Sequence, residues 1–142
     1  MYISYKYLFR LAWLQAFVAT VGSLFFSEIV KLPPCSLCWY QRIFMYPLVF
    51  IIAIGILKKD KHLPDYVLPL SIIGMLIATY QYLLQMGVIP EAVTNCLAGV
   101  SCTAKDVVWF DFVTIPLLSF AAFALITGCM LLAKRLISKS AT

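Results

Sequence analysis

The chain has 142 residues, of which 63% are hydrophobic and 12% charged, and its net charge is +5. A soluble domain of this size cannot hide so much apolar surface in its interior, so the composition excludes a soluble globular protein and indicates an integral membrane protein. The cations are scattered beside apolar stretches, so the positive charge does not indicate nucleic acid as a partner.

Four apolar, largely uncharged stretches predict four transmembrane helices. They cover about residues 7–27, 37–57, 66–87 and 112–133. Each is near the roughly 20 residues that a helix needs to cross the hydrocarbon layer, where lipid offers the backbone no other hydrogen-bond partner. The connections are short and no repeat or linker divides them. We therefore expect residues 1–142 to form a single domain, an all-α antiparallel four-helix bundle in the membrane.

The first stretch also has features of a signal peptide, because Lys6 and Arg10 precede an apolar run. A signal core has only about 7 to 15 residues, however, and this run is longer and lacks a clear small-x-small cleavage site after it. We expect the first helix to be retained.

Positive charges predict the orientation of the bundle. Eight of the eleven Lys and Arg residues lie near the two chain ends or in the loop between the second and third spans: Lys6, Arg10, Lys58, Lys59, Lys61, Lys134, Arg135 and Lys139. By the positive-inside rule, both termini and this loop face the cytoplasm. The other two loops, residues 28–36 and 88–111, then lie on the outer face.

Each outer region carries a pair of cysteines. Cys35 and Cys38 stand at the entry to the second span, and Cys96 and Cys102 lie in the loop before the fourth. The compartment outside the cytoplasmic membrane is oxidising, so these four residues are expected to form disulfides at least part of the time. Cys129 lies in the fourth span toward the cytoplasmic side, and we interpret it as a small buried hydrophobe.

The residues around the first pair favour a reactive thiol. Pro33 and Pro34 cannot continue a helix, so the second helix is predicted to begin at about residue 36 or 37, with Cys38 in its first turn. Unpaired amides and the helix dipole favour a thiolate there. Arg42 lies one turn further on the same face, where it could stabilise the thiolate and bind an electron acceptor. The alternative for Arg42 is snorkelling to lipid headgroups.

Cysteine pairs of this kind also occur in zinc sites and in structural clips. Zinc is disfavoured because the second pair is spaced C-x5-C and the single histidine, His62, lies on the opposite face. A structural clip stays open for Cys96 and Cys102. We favour thiol–disulfide exchange for this pair, mainly because the other pair lies in the same compartment. In addition, small rings gain less from loop closure and exposed disulfides are the labile ones.

The run PPCSLCWYQR at residues 33–42 enters the second of four helices, and a second cysteine pair lies between the third and fourth. This combination resembles the DsbB family of quinone-dependent disulfide oxidoreductases, and most closely its BdbC-like members from Gram-positive bacteria. The resemblance covers essentially the whole chain and implies a multi-pass protein of the bacterial cytoplasmic membrane. The chain departs from the best-known members in the short spacing of its second pair.

The resemblance also implies an electron relay. An extracytoplasmic thioredoxin-fold, DsbA-like oxidase would give two electrons to the Cys96–Cys102 disulfide, with Cys96 matching the position that forms the mixed disulfide. Cys102 would then attack Cys35, and Cys38 would be freed as a thiolate beside the quinone. Arg42 matches the quinone-site arginine of the family. The quinone is menaquinone or ubiquinone, and the likeness to Gram-positive members favours menaquinone.

Two glutamines in the third span are further candidates for polar contacts. Gln81 and Gln85 lie one turn apart near the outer end of the third span. They could hydrogen-bond a quinone, but we favour a polar contact between helices.

Two alternative functions stay open. One is a vitamin K epoxide reductase-like quinone reductase, which also has a four-helix bundle and two cysteine pairs. The other is a non-enzymatic membrane protein with structural disulfides.

Overall fold

Four long helices make up almost all of the structure. The computed structural model describes residues 2–31, 36–90, 108–109 and 113–142. The helices are α1 (Tyr2–Glu28), α2 (Ser36–Lys58), α3 (Leu63–Gln85) and α4 (Ile115–Ala141). Each contains a stretch long and apolar enough to cross a membrane. The predicted all-α membrane fold is thereby confirmed.

The helices differ from the predicted spans at their ends. Helix α1 begins at Tyr2 rather than near residue 7, and α4 continues to Ala141 rather than ending near residue 133. Helix α3 is displaced toward the amino terminus, covering Leu63–Gln85 instead of 66–87. Apolarity marks only the part of a helix that lies in hydrocarbon, whereas backbone hydrogen bonding continues into the polar residues beyond it.

A short antiparallel pairing precedes α4 and was not predicted from the sequence. Strand β1 (Val108–Trp109) pairs with β2 (Val113–Thr114), with Val108 opposite Thr114 and Trp109 opposite Val113. Because Val113 and Thr114 are extended, α4 begins at Ile115 instead of near residue 112. Its second residue is Pro116, and proline is well tolerated in a first turn.

The helices form an antiparallel ring in which α1 and α3 each pack against both α2 and α4. Arg42, near the start of α2, bonds to Ser23 and Ser27 near the end of α1. At the other end of α2, Gly55 lies against Leu63, the first residue of α3. The start of α2 therefore shares one end of the bundle with the ends of α1 and α3. We call this the Cys38 end, defined by Ser27, Cys38 and Gln81.

The core is apolar and the outward faces are apolar as well. Side chains from all four helices form the core: Tyr5, Phe9, Ala12, Ala16, Met45, Leu48, Ile52, Leu63, Val67, Leu68, Ala122, Phe123, Ile126, Met130 and Ala133. Large hydrophobic residues such as Phe50, Leu57 and Leu76 are exposed on the outside. Exposed apolar surface of this kind suits a bundle that is surrounded by lipid, because lipid tails are as apolar as these side chains and contact with them carries no hydrophobic penalty.

The end of the bundle opposite Cys38 is charged. The Nζ atom of Lys134 on α4 lies 2.8 Å from the Oδ1 atom of Asp65 on α3. In the loop between α2 and α3, the backbone N–H of His62 and the hydroxyl of Tyr66 donate hydrogen bonds to the carboxylate of Asp60, at 2.9 and 2.8 Å. These two bonds hold the pKa of Asp60 below its usual value.

Gly74 marks a close approach between α3 and α4. A Cβ atom at this position would overlap the ring of Phe123, which is fully buried on α4. Overpacking a core costs about 1–3 kcal/mol. We therefore expect Gly74→Ala to lower the midpoint of thermal unfolding of the detergent-solubilised protein.

Gly128→Ala provides the control for this substitution. A Cβ atom at Gly128 would meet nothing within 4 Å. Alanine is favoured over glycine in a helix by about 1 kcal/mol, so this variant should unfold at the same temperature as the wild type or higher. A Gly74→Ala protein as stable as Gly128→Ala would contradict the close packing of α3 on α4.

Candidate functional site

Cys38 lies where the sequence predicts, in the first turn of α2. The helix begins at Ser36, so the backbone amides around Cys38 belong to the end of the helix that lacks intrahelical acceptors. The side chain is half-buried. A sulfur in this position is exposed to the positive end of the helix dipole, which favours negative charge.

A glutamine from the neighbouring helix donates a hydrogen bond to this sulfur. The Nε2 atom of Gln81, on the last turns of α3, lies 3.3 Å from the Sγ atom of Cys38. The side chain of Gln81 is only 2% exposed. The antiparallel packing of α2 and α3 produces this contact, because it brings the end of α3 against the start of α2.

A second glutamine fixes the first. The Nε2 atom of Gln41 donates to the Oε1 atom of Gln81 at 2.6 Å, and both side chains are buried. The polar contact between helices that we favoured for Gln81 is thus confirmed. Gln41 was not predicted from the sequence as a site residue. Its spacing was an available signal, because a residue three positions after Cys38 lies on nearly the same face of a helix.

Arg42 lies between α1 and α2 rather than extending away from the bundle. It is half-buried, with Nη1 3.3 Å from the Oγ atom of Ser27 and Nη2 3.2 Å from the backbone oxygen of Ser23. Its guanidinium carbon is 5.5 Å from the centre of the Trp39 ring. These contacts use two N–H donors of the guanidinium, which carries more than two.

The Cys38 end therefore combines a cysteine sulfur, a buried amide pair and a cation. N–H donors stabilise an anionic sulfur, and thiolate is the form that attacks disulfides or leaves from them. The arrangement suits thiol–disulfide exchange at the end of a membrane bundle. In the part of the chain that the structure describes, no group of three or more His, Cys, Asp or Glu side chains could hold a metal ion.

The structure describes only part of the other predicted cysteines. Cys35, Cys96 and Cys102 lie outside the described residues, so the disulfides Cys35–Cys38 and Cys96–Cys102 stay predictions. Cys129 is half-buried on α4 and packs against the hydrophobic core. Its position agrees with a small apolar side chain that belongs to the packing of the bundle.

Comparison with known proteins extends these observations. Residues 5–133 match the family described as "Disulfide bond formation protein DsbB". The chain is 45% identical to "Probable disulfide formation protein C 1" of Bacillus anthracis over 124 residues, which are 87% of this chain and 89% of that protein.

Two further relatives have similar names. "Probable disulfide formation protein C" of Halalkalibacterium halodurans is 49% identical over 122 residues, 85% of this chain and 88% of that protein. "Disulfide bond formation protein C" of Bacillus subtilis is 46% identical over 123 residues, 87% of this chain and 89% of that protein. Comparison with solved structures gives no match. The family match over most of the chain, with relatives of this identity, shows that this four-helix membrane protein belongs to the DsbB family of disulfide bond formation proteins.

Proposed function

We propose that this membrane disulfide oxidoreductase reoxidises an extracytoplasmic thioredoxin-fold, DsbA-like thiol oxidase and passes the electrons to membrane quinone. Membership of the DsbB family supports the disulfide chemistry. The observation that carries the proposal is Cys38 in the first turn of α2, with an N–H donor 3.3 Å from its sulfur and half-buried Arg42 one turn further on.

The chain would act through two disulfides in sequence. A thiolate of the reduced partner attacks Cys96, which forms a mixed disulfide and releases Cys102 as a thiolate. The partner's second thiolate then closes the partner disulfide and releases Cys96. The Cys102 thiolate attacks Cys35, which forms a Cys35–Cys102 bond and breaks the Cys35–Cys38 bond. Cys38 departs with the electron pair as a thiolate. The Cys96 thiolate would then attack Cys102, which re-forms the Cys96–Cys102 bond, breaks the Cys35–Cys102 bond and releases Cys35, so that Cys35 and Cys38 make up the dithiol. Each step exchanges one sulfur–sulfur bond for another.

The donors at the Cys38 end suit a quinone. A bound quinone supplies a two-electron acceptor for the dithiol. Arg42 is held by Ser23 and Ser27 of α1 and retains further N–H donors that can bond a carbonyl oxygen. The exposed apolar faces of the helices can accommodate an isoprenoid tail in the surrounding lipid. Menaquinone is favoured over ubiquinone because the resemblance is to Gram-positive members.

The proposed reaction requires the Cys38 end to face outward. Lys58, Lys59 and Lys61 lie at the opposite end, next to the contact between Asp65 and Lys134. The positive-inside rule supports placing that end in the cytoplasm of a bacterial cell, together with both termini.

The test is a reconstituted reaction. The purified protein in liposomes that contain menaquinone is mixed with a purified thioredoxin-fold oxidase that has been reduced and freed of excess reductant. We expect repeated loss of partner thiols with matching reduction of the quinone, followed by absorbance, and no repeated turnover in liposomes without quinone. If the wild-type protein removes no partner thiols, the non-enzymatic alternative is favoured. Reduction of a quinone epoxide by the same protein would favour the vitamin K epoxide reductase-like alternative.

A further inference from the structure

We propose that Gln41 and Gln81 hold an N–H donor against the sulfur of Cys38 and thereby stabilise the thiolate that is released when the Cys35–Cys38 disulfide opens. Gln81 makes the contact with the sulfur, and Gln41 is a positioning residue that acts through Gln81. The inference rests on the proposed function, because it takes Cys38 as the leaving sulfur of that disulfide.

The geometry gives the amide of Gln81 a defined direction. Its Oε1 atom accepts from Gln41 at 2.6 Å, while its Nε2 atom lies 3.3 Å from the sulfur of Cys38. Rotating this amide by half a turn would place its oxygen against the sulfur and would bring its NH2 group against the NH2 group of Gln41. As long as Gln41 presents its NH2 group to Gln81, a donor and not an acceptor faces Cys38.

The contact with sulfur distinguishes the pair from a purely structural clamp between α2 and α3. A hydrogen bond between the two amides joins the helices equally well whatever the state of Cys38. Sulfur is a weak acceptor as a thiol or disulfide and a much stronger one as a thiolate. The bond from Gln81 therefore strengthens when the Cys35–Cys38 bond breaks and Cys38 takes the electron pair. Gln81 remains an intact amide throughout, so the step needs no further reactant.

Burial increases the effect of this bond. Gln41 and Gln81 are 6% and 2% exposed, and an N–H donor that is shielded from water interacts more strongly with an anion than an exposed one. The cation of the site is held separately, since Arg42 bonds to Ser23 and Ser27 of α1. Neighbouring helices on both sides of α2 thus hold polar groups at its first turns.

The experiment measures the reactivity of Cys38 alone. In a background with Cys35, Cys96 and Cys102 changed to serine and Cys129 changed to alanine, the rate of alkylation by iodoacetamide is followed over a range of pH in detergent. A hydrogen bond to a charged group is strong enough that Gln81→Met should slow alkylation near neutral pH by roughly tenfold or more. The rate profile should move to higher pH, and its limiting rate should not fall, because a more basic thiolate is the better nucleophile. Gln41→Met should cause a smaller change in the same direction.

Two further variants keep the result interpretable. Thr79→Val is the control on α3, because the Thr79 hydroxyl donates a hydrogen bond within its own helix, to the backbone oxygen of Met75 at 2.8 Å; its profile should match the parent. The double variant Gln41→Met/Gln81→Met removes both amides and leaves no buried amide unpaired, so it should fold even if a single variant does not. It should show the full shift of Gln81→Met.

An unchanged profile in the double variant overturns the inference, and so does a slower rate by the same factor at every pH. Alkylation requires neither partner nor quinone. A failed shift in a protein whose wild type reduces quinone therefore rejects the role of the glutamines alone, whereas absence of quinone reduction in the wild type rejects the proposed function.

Discussion

Cys38→Ser is expected to lower the rate of quinone reduction by a reduced thioredoxin-fold partner by roughly a thousandfold or more, as loss of a reacting nucleophile does in other enzymes. A serine oxygen forms no disulfide and does not leave as an anion near neutral pH, so the second disulfide of the relay cannot exist. The side chain is of similar size and sits in the first turn of α2, so the bundle should fold normally. The measurement is the initial rate in liposomes, with thermal unfolding as a check on folding.

Cys129→Ala is the matched control for this loss. Cys129 is also half-buried, but it packs against the core on α4, away from the Cys38 end. Its replacement should leave the rate close to that of the wild type. A Cys38→Ser protein that still reduces quinone at a substantial rate would show that electrons leave the chain by another route, and the relay through Cys35 and Cys38 would have to be abandoned.

Hydropathy and prolines were sufficient to predict the helices and the position of Cys38. Apolar stretches of membrane length define four helices almost uniquely, since lipid permits little else. Pro33 and Pro34 restrict where α2 can begin, and its first residue is Ser36, as expected. The start of α1 and the end of α4 were not predictable in this way. They lie in polar sequence, where helix formation depends on backbone hydrogen bonds and neighbouring contacts rather than on apolarity.

The partners of the site residues could not be read from the sequence. Helical spacing places Cys38, Gln41 and Arg42 on related faces of α2, but it does not give the rotation of α2 against its neighbours. That rotation decides that Gln41 bonds to Gln81 of α3 while Arg42 bonds to α1. The rotation of α2 follows from the packing of many apolar side chains at once, so no single sequence motif predicts it.

The two halves of the predicted relay consequently rest on different grounds. Around Cys38, the helix start, the donor on the sulfur and the anchored cation are physical features of the fold. For Cys96 and Cys102, which lie outside the described residues, the assignment depends on their spacing and on the family resemblance. Variants at Cys38 and Arg42 therefore test the structure directly.

Arg42→Met is expected to raise the KM for quinone by roughly tenfold or more, because a hydrogen bond from a charged donor contributes about 1.5–3 kcal/mol. Methionine keeps an unbranched apolar side chain between α1 and α2 but has no donor for a carbonyl oxygen. The measurement is the rate of partner oxidation at saturating partner and increasing quinone content of the liposomes. Binding lost equally in the ground state and the transition state appears in KM and leaves kcat near that of the wild type.

Lys31→Met is the control for the loss of charge in this variant. Lys31 is an exposed cation just beyond the end of α1, near the same end of the bundle. Its removal should leave the KM for quinone unchanged, because a solvent-exposed charge interacts weakly with a neutral ring. Arg42→Lys should recover only part of the affinity, since one ammonium cannot bond Ser23, Ser27 and a carbonyl in the fixed geometry of a guanidinium. If Arg42→Met and Lys31→Met give the same KM as the wild type, Arg42 serves to anchor α2 to α1 and the quinone is bound by other residues.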